Sequence, residues 1–149
     1  MKPRYSGYIL VSLLAFFSII SVLIWVIGFN VYFETIDIGG SCVHRERRDY
    51  IIRTQQEWDD LWQKTYWSSS EAPDIDFSSN IVLAVYMGEQ ATGGYRIEIM
   101  NISENVVLTR VYIRETSPSP DKLWAAVLTQ PYHIVKLNRI PKFIVFIHT

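Results

Sequence analysis

Near the middle of the chain lies the apolar run Ile81-Val82-Leu83-Ala84-Val85. Neighbouring side chains of a strand point to opposite faces, so a strand this apolar is predicted to be central and covered on both sides. The run Phe143-Ile144-Val145-Phe146-Ile147 has the same character and the same prediction. Between Tyr95 and Met100, apolar residues alternate mainly with charged ones. This alternation predicts a strand with one buried and one wetter face.

Five segments have the β-branched and aromatic composition of strands. They are Ile81 to Met87, Tyr95 to Ile102, Val106 to Glu115, Pro131 to Leu137 and Phe143 to His148. One helix is predicted before them, because Thr54 and Glu57 have the spacing of a capping box. Trp58, Leu61, Trp62 and Thr65 then follow at three- and four-residue steps. We expect an α+β domain over residues 50–149, with a mainly antiparallel sheet of about five or six strands and one packed amphipathic helix.

The N-terminal segment from Gly7 to Phe33 contains 27 residues and no charged side chain. Because roughly 20 apolar residues cross a bilayer as a helix, it predicts a transmembrane helix, with residues 1–33 forming a cytoplasmic tip and signal anchor. One alternative is a cleaved signal peptide, which has a shorter apolar core and a small-residue cleavage site. The other is lipidation at Cys42, although Glu34 and Asp37 separate that cysteine from the apolar run.

Charges around this segment predict its orientation. Lys2 and Arg4 precede it, and acidic residues follow it, so the positive-inside rule keeps the N-terminus in the cytoplasm. Residues 34–49, with Gly39-Gly40-Ser41 at their centre, have no regular periodicity and predict a flexible stalk. We therefore expect a single-pass protein of the cell membrane, in contact with the lipid bilayer through residues 7–33, with its C-terminal domain outside the cytoplasm.

Composition and charge argue against several classes of function. The 14 Lys and Arg residues nearly balance the 15 Asp and Glu residues, so no basic face for nucleic acid is expected. Cys42 is the only cysteine, and the three histidines lie in separate segments, which predicts neither a metal site nor a cofactor. Asp74 and Asp76 follow a proline in an irregular segment, where such residues usually cap turns. No catalytic residue, enzymatic activity or small-molecule substrate is predicted.

The most informative short motif is Thr92-Gly93-Gly94-Tyr95, between the apolar strand and the alternating strand. Two adjacent glycines allow backbone angles that other residues rarely adopt, so the loop can turn tightly and present Thr92 and Tyr95. In a purely structural interpretation, the glycines only permit the reversal of the chain. The sequence leaves both interpretations open.

Several segments together resemble the C-terminal domain of PrcB-type protease-complex subunits. They are Ile51 to Trp58 with Leu61-Trp62, Asp76-Phe77, Ile81 to Val85 with Gly88, Thr92 to Ile99, and Gln130 to Val135. Their order and spacing carry the resemblance. It implies a secreted or membrane-tethered accessory module that associates with a protease and has no catalytic residues of its own. The long apolar segment, in place of an evident lipoprotein signal, departs from this pattern.

The leading functional prediction is a non-catalytic binding module that docks on a protein partner at the membrane, with a protease as one candidate. The residues predicted to reach the partner are Thr92, Gly93, Gly94, Tyr95, Trp124 and Tyr132. Loops on a rigid sheet commonly carry recognition, and aromatic residues are enriched at contact hot spots. One alternative is a peptidase inhibitor, because the Thr-Gly-Gly-Tyr loop resembles that of chagasin-type cysteine-peptidase inhibitors. The other is a structural component of the cell envelope.

Overall fold

The computed structural model describes residues 11–20, 28–66, 71–140 and 142–149. Residues 11–20 are helical. The other elements are β1 (Phe29–Asn30), β2 (Phe33–Gly39), β3 (Arg47–Ile52), α1 (Gln55–Thr65), β4 (Asn80–Met87), β5 (Arg96–Glu104), β6 (Leu108–Thr116), β7 (Tyr132–Asn138) and β8 (Phe143–His148). The predicted helix and the five predicted strands are all present, with small shifts at their ends.

The strands of the described residues form two four-stranded sheets. Sheet A has the order β1-β5-β6-β8, and sheet B has the order β2-β7-β4-β3. All neighbouring strands are antiparallel except β6 and β8, which are parallel. Parallel neighbours need a crossover connection, and here the chain passes through β7 of sheet B before it returns to sheet A.

The main core lies between the two sheets. One face of β4, with Ile81, Leu83 and Val85, packs in the same apolar cluster as Ile99 of β5 and Val111 of β6. The opposite face of β4 belongs to a second cluster that includes Trp58 and Leu61 of α1. Sheet B is therefore the middle of three layers. This arrangement confirms the prediction that β4 is covered on both sides.

Helix α1 begins at the predicted capping box. The Thr54 hydroxyl accepts a hydrogen bond from the Glu57 backbone N–H, and the Glu57 carboxylate accepts one from the Thr54 N–H. Trp58 is fully buried, and its indole N–H donates to the Pro73 carbonyl over 2.9 Å. This bond fixes the segment after the helix to the same face of sheet B. The buried residues of α1, Trp58, Leu61 and Thr65, lie on the face that the three- and four-residue spacing predicts.

The prediction of a spanning helix over residues 7–33 is wrong. Phe29–Asn30 pairs with β5, and Phe33 begins β2, so the end of that segment belongs to the sheets. Val31 and Phe33 are apolar because they pack against the core between the sheets. No helix within the described ranges is both long and apolar enough to cross a membrane. The predicted span also includes residues 7–10 and 21–27, which lie outside the described residues.

The prediction of a flexible stalk over residues 34–49 also differs from the structure. Most of β2 and the start of β3 lie in this range. Strand β2 pairs with β7, and Glu34 forms an ion pair with Lys136 over 2.9 Å. The alternating pattern was hard to recognise because the pairing register shifts between Thr35 and Asp37. A bulge of this kind interrupts the two-residue period of a strand.

Two further expectations about the sheets need correction. The predicted single sheet of five or six strands is wrong, because the eight strands of the described residues divide between two sheets. Phe143 to Ile147 was predicted to be a central strand, but β8 lies at the edge of sheet A. Its side chains at Phe143 and Val145 are 84% and 44% exposed. Apolar composition alone could not distinguish a central strand from an edge strand.

Candidate functional site

Two loops at one end of the sandwich pack against each other. One connects β4 to β5 and contains Gly94, whose φ of +90° lies in the left-handed region. The other connects β6 to β7 and contains Trp124. A Cβ atom on Gly94 would lie 2.6 Å from the Cδ2 and Cε3 atoms of the Trp124 indole. Glycine is therefore required at this position both by its backbone angle and by the close approach of the indole.

Backbone hydrogen bonds fasten these loops together. Gln90 and Thr129 exchange two bonds, of 2.8 and 2.9 Å, and the Gly93 N–H donates to the Ala125 carbonyl over 3.0 Å. The Thr129 hydroxyl donates to the Thr92 carbonyl over 2.8 Å. The motif Thr92-Gly93-Gly94 is thus held along one side. Its residues contact the β6–β7 loop and are only half-exposed.

The loop between β6 and β7 presents an exposed apolar surface. Four side chains form it, and we call it the Trp124 surface: Leu123, Trp124, Val127 and Leu128. Trp124 is 41% exposed, although its indole N–H donates to the Ser119 carbonyl over 2.9 Å. Leu123 is fully exposed. Of these four residues, only Trp124 is predicted from the sequence. The signal for the other three is a cluster of large apolar residues in the longest loop.

The predicted site residues therefore divide into two groups. The structure brings Thr92, Gly93, Gly94 and Trp124 together. Tyr95 instead packs against the core between the sheets. Tyr132 is buried on the opposite face of sheet B, in the cluster that contains α1. Its side chain is not available to a docking partner in this structure.

Tyr132 belongs to a partly buried polar contact. The hydroxyls of Tyr66 and Tyr132 both donate to the Oδ2 atom of Asp37, the latter over 2.8 Å. Burial is the main cause that raises the pKa of Tyr132 to about 12, and the Asp37 carboxylate raises it further. Burial and Asp37 likewise raise the pKa of Tyr66. Both phenols stay protonated near neutral pH and donate to Asp37, so the contact joins β2, β7 and the end of α1.

His133 is buried between the sheets as a structural residue. Its Nδ1 atom accepts a hydrogen bond from the Ile99 backbone N–H over 2.9 Å. Because Nδ1 accepts, the ring proton is on Nε2, which lies 3.0 Å from the Thr35 hydroxyl oxygen. Burial lowers the pKa of His133, although Glu98 and Asp37 oppose the shift. The neutral imidazole links β7 to both sheets, and neither nitrogen is left for a substrate.

The other two histidines lie elsewhere. His148 contacts Glu115 through Nδ1 over 2.6 Å and Asp49 through Nε2 over 2.9 Å. Burial would raise the pKa of Glu115, but hydrogen bonds from Arg47 and His148 outweigh it and lower the pKa. His44 contacts the Tyr50 hydroxyl over 2.7 Å. Within the described ranges, no group of three or more His, Cys, Asp and Glu side chains could hold a metal ion.

A shallow groove beside α1 has no cysteine or serine among the described residues of its lining. Its lining includes His44, Arg45, Arg48 and Lys64. The nearby Cys42 thiol lies 3.4 Å from the Gln130 carbonyl oxygen, and burial raises the thiol pKa to about 11. A thiolate is the reactive form of cysteine. Because Cys42 is protonated near neutral pH, the groove is not set up for cysteine-based catalysis.

Comparison with known families then bears on the region that contains the two loops. Residues 81–138 match the family described as PrcB C-terminal. The match covers less than half of the 149-residue chain but includes β4 to β7, Gly94 and the Trp124 surface. The family is of a non-catalytic accessory type. The resemblance of residues 51–80 remains a prediction. No curated protein and no solved structure matches the chain.

Proposed function

We propose that this protein is a non-catalytic binding module that docks on a partner protein through the Trp124 surface. One observation carries the proposal: four large apolar side chains within six residues are exposed on a loop that is fixed to the sandwich through Gly94 and Gly93. Exposed apolar residues that occur singly need no explanation, whereas a contiguous cluster commonly marks an interaction site. The match to a family of accessory domains supports the same class of function.

The support beneath the Trp124 surface favours binding. Ordering a mobile loop on association costs free energy, and a loop that is already held avoids much of that cost. Here the indole of Trp124 rests on Gly94, and its N–H is bonded to Ser119. Tryptophan is among the residues most enriched at energetic hot spots. Trp124 is therefore the expected anchor, with Leu123, Val127 and Leu128 as the apolar contacts around it.

The partner we propose is a protein with a complementary apolar groove, and a protease is the first candidate because of the family match. The charged neighbours are Asp121 and Lys122, one of each sign, so strong electrostatic steering is not expected. The proposal does not include a membrane, because the predicted spanning helix is wrong.

The peptidase-inhibitor alternative has less support. An inhibitory loop must enter the active-site cleft of its target, but Thr92, Gly93 and Gly94 are half-buried and bonded to the neighbouring loop. In a direct assay, the full chain is added to papain-like and subtilisin-like proteases at increasing concentration. A binding module leaves their activity unchanged, whereas stoichiometric inhibition would favour the alternative.

The docking surface can be tested by site-specific photo-cross-linking of the full chain in its native cells. A photoreactive amino acid replaces Leu123, or replaces Val106 as a control at the β5–β6 turn. We expect a discrete adduct with one other protein from position 123 only, and its loss when Val127→Ser is added. The matched change is Val106→Ser, because Val106 and Val127 are 52% and 54% exposed. Identical adducts from both positions, or no adduct from position 123, would contradict the proposal.

A further inference from the structure

The two sheets have four edge strands, and three of them carry features that discourage pairing with another chain. Strand β1 has only two residues. Strand β2 contains a register shift and two acidic residues, Glu34 and Asp37. Strand β3 begins with Arg47, Arg48 and Asp49. Short length, bulges and charges are the usual means by which proteins protect such edges.

Strand β8 lacks all of these features. It has six residues, runs without a register shift beside β6, and has no charged residue between Phe143 and Ile147. Its backbone groups on the side away from β6 have no backbone partner among the described residues. Phe143 and Val145 are among the exposed large apolar residues of the protein. The edge is therefore suited to accept one more strand.

The outer face of sheet A beside β8 carries positive charge. Arg110 of β6 lies opposite Val145, and Arg114 lies further along the same face. Arg96 and Glu98 of β5 share this face, so it has three positive charges and one negative charge, whereas the whole chain has a net charge of −1. Arg110 and Arg114 form no ion pair with any described residue. Glu98 is the cross-strand neighbour of Arg114, whereas the cross-strand neighbours of Arg110 are Ser103 and Val145. The cation beside the open apolar edge, Arg110, therefore has no acidic neighbour across the strands.

We propose that β8 binds an extended segment of a partner protein, rich in alternating apolar and acidic residues, which adds to sheet A as a fifth strand. Main-chain hydrogen bonds would join this segment to β8, as in other cases of strand addition. Its acidic side chains would reach across Val145 to Arg110 and, further along the strand, to Arg114. This surface is separate from the Trp124 surface, and the inference does not depend on the proposed function.

A second copy of the chain is a less suitable occupant. Pairing of two β8 strands would place the Arg110 side chains of both copies on one continuous face, and the second β8 would add no acidic residue beside them. An acidic peptide instead neutralises them. The distinction can be measured, because a peptide binds to the monomer, whereas self-pairing produces a dimer whose population increases with protein concentration.

The test uses the full chain and synthetic peptides of known sequence. The probe is an acetylated peptide of about eight alternating valine and glutamate residues, the length of an ordinary strand. The controls are a valine and lysine peptide and a valine and glutamate peptide with central prolines, which cannot complete the hydrogen-bond ladder. Binding is measured by fluorescence anisotropy. We expect saturable binding of the first peptide only, and at least tenfold weaker binding to Val145→Glu, which places a like charge beside the peptide, than to the neutral control Val145→Gln.

A charge exchange gives a result that misfolding could not produce. In the double variant Arg110→Glu with Arg114→Glu, the preference should reverse from the glutamate peptide to the lysine peptide. Trp124→Ala should bind the glutamate peptide as the unchanged chain does, so failure of one proposed surface is distinguishable from failure of the other. Equal binding of all three peptides, no binding of the glutamate peptide, or a dimer whose population increases with protein concentration would overturn the proposal.

Discussion

Strands β4 and β8 have nearly the same apolar composition but occupy opposite kinds of position. Strand β4 lies inside sheet B between two cores, and its residues from Ile81 to Tyr86 are fully buried. Strand β8 lies at the edge of sheet A, with one face open to solvent. The difference shows that the environment of an apolar residue depends on the order of strands in the sheet. Pairs of identical residues in contrasting environments allow this to be tested.

The largest expected difference is between two valines. Val85→Ala removes two methyl groups from a fully buried site and should lower the free energy of unfolding by about 2–3 kcal/mol, through lost burial and the remaining cavity. Val145→Ala removes the same atoms from the half-exposed β8 and should cost less than about 1 kcal/mol. Urea unfolding of both variants measures the difference. Equal losses would mean that β8 is covered in solution.

The next pair is Gly94 and Gly93. Gly94→Ala introduces a side chain at a positive φ and directly against the Trp124 indole, so we expect a loss of about 1–3 kcal/mol and a shift in tryptophan fluorescence. At Gly93 the nearest atom to an added Cβ is the Ala125 carbonyl oxygen, at an ordinary 3.8 Å. Gly93→Ala is the matched control and should change both quantities little. A similar effect of both substitutions would contradict the stacking of Trp124 on Gly94.

The third prediction concerns the pH dependence of stability near β4, where His133 is the cross-strand partner of Val85. Burial lowers the pKa of His133 in the folded protein. As pH falls below the ordinary histidine value of 6.5, the unfolded chain therefore binds a proton first and stability is lost. The loss should reach at most about 1.4 kcal/mol per pH unit for this residue. Above 6.5 its contribution is fully present.

Urea unfolding between pH 7.5 and 5.5 can measure this dependence. His133→Phe should be less stable at every pH, because it leaves the Ile99 N–H without an acceptor. The slope against pH should nevertheless become smaller. Some slope remains, since burial also lowers the pKa of His44. The pKa of Glu115 is lowered from 4.5, so its contribution to stability is lost only at more acidic pH. An unchanged slope in the variant would refute the assignment.

The smallest effect is expected at the end of β8. His148 lies between Asp49 and Glu115, and all three side chains are partly exposed. Contacts between partly exposed polar side chains contribute little, about 0–1 kcal/mol. His148→Gln should therefore lower the free energy of unfolding, measured by urea unfolding, by less than about 1 kcal/mol. A loss as large as that of Val85→Ala would show that this contact between the sheets is a major source of stability.

The sequence predicted those features that depend on local patterns. The Thr54 capping box, the buried face of α1 and the five strands from Asn80 onward all follow from spacing within a short segment. The predictions were wrong where the structure of a segment depends on residues distant in the chain. Residues 29–39 appeared to end a spanning helix and begin a stalk, because their apolar residues face a core formed by strands much later in the chain.

The candidate site shows the same division. Thr92, Gly93 and Gly94 could be singled out because adjacent glycines indicate unusual backbone angles. Trp124 was anticipated as an exposed aromatic residue, but its stacking on Gly94 depends on the packing of two loops. Tyr132 could not be recognised as buried, since its hydroxyl is satisfied by Asp37 of the unpredicted β2. The exposed aliphatic residues around Trp124 lie in an irregular loop, where no periodic pattern separates exposed from buried residues.

The pairing of β2 with β7 also has a consequence for the rate and order of folding. It brings Phe33 beside Leu137, near opposite ends of the described domain. Contacts between residues so distant in sequence form slowly, because the intervening chain must first lose much of its freedom. The β5–β6 hairpin has a short connection and should form early. Completion of sheet B by β2 is then the expected slow step, during which β7 is transiently an unprotected edge.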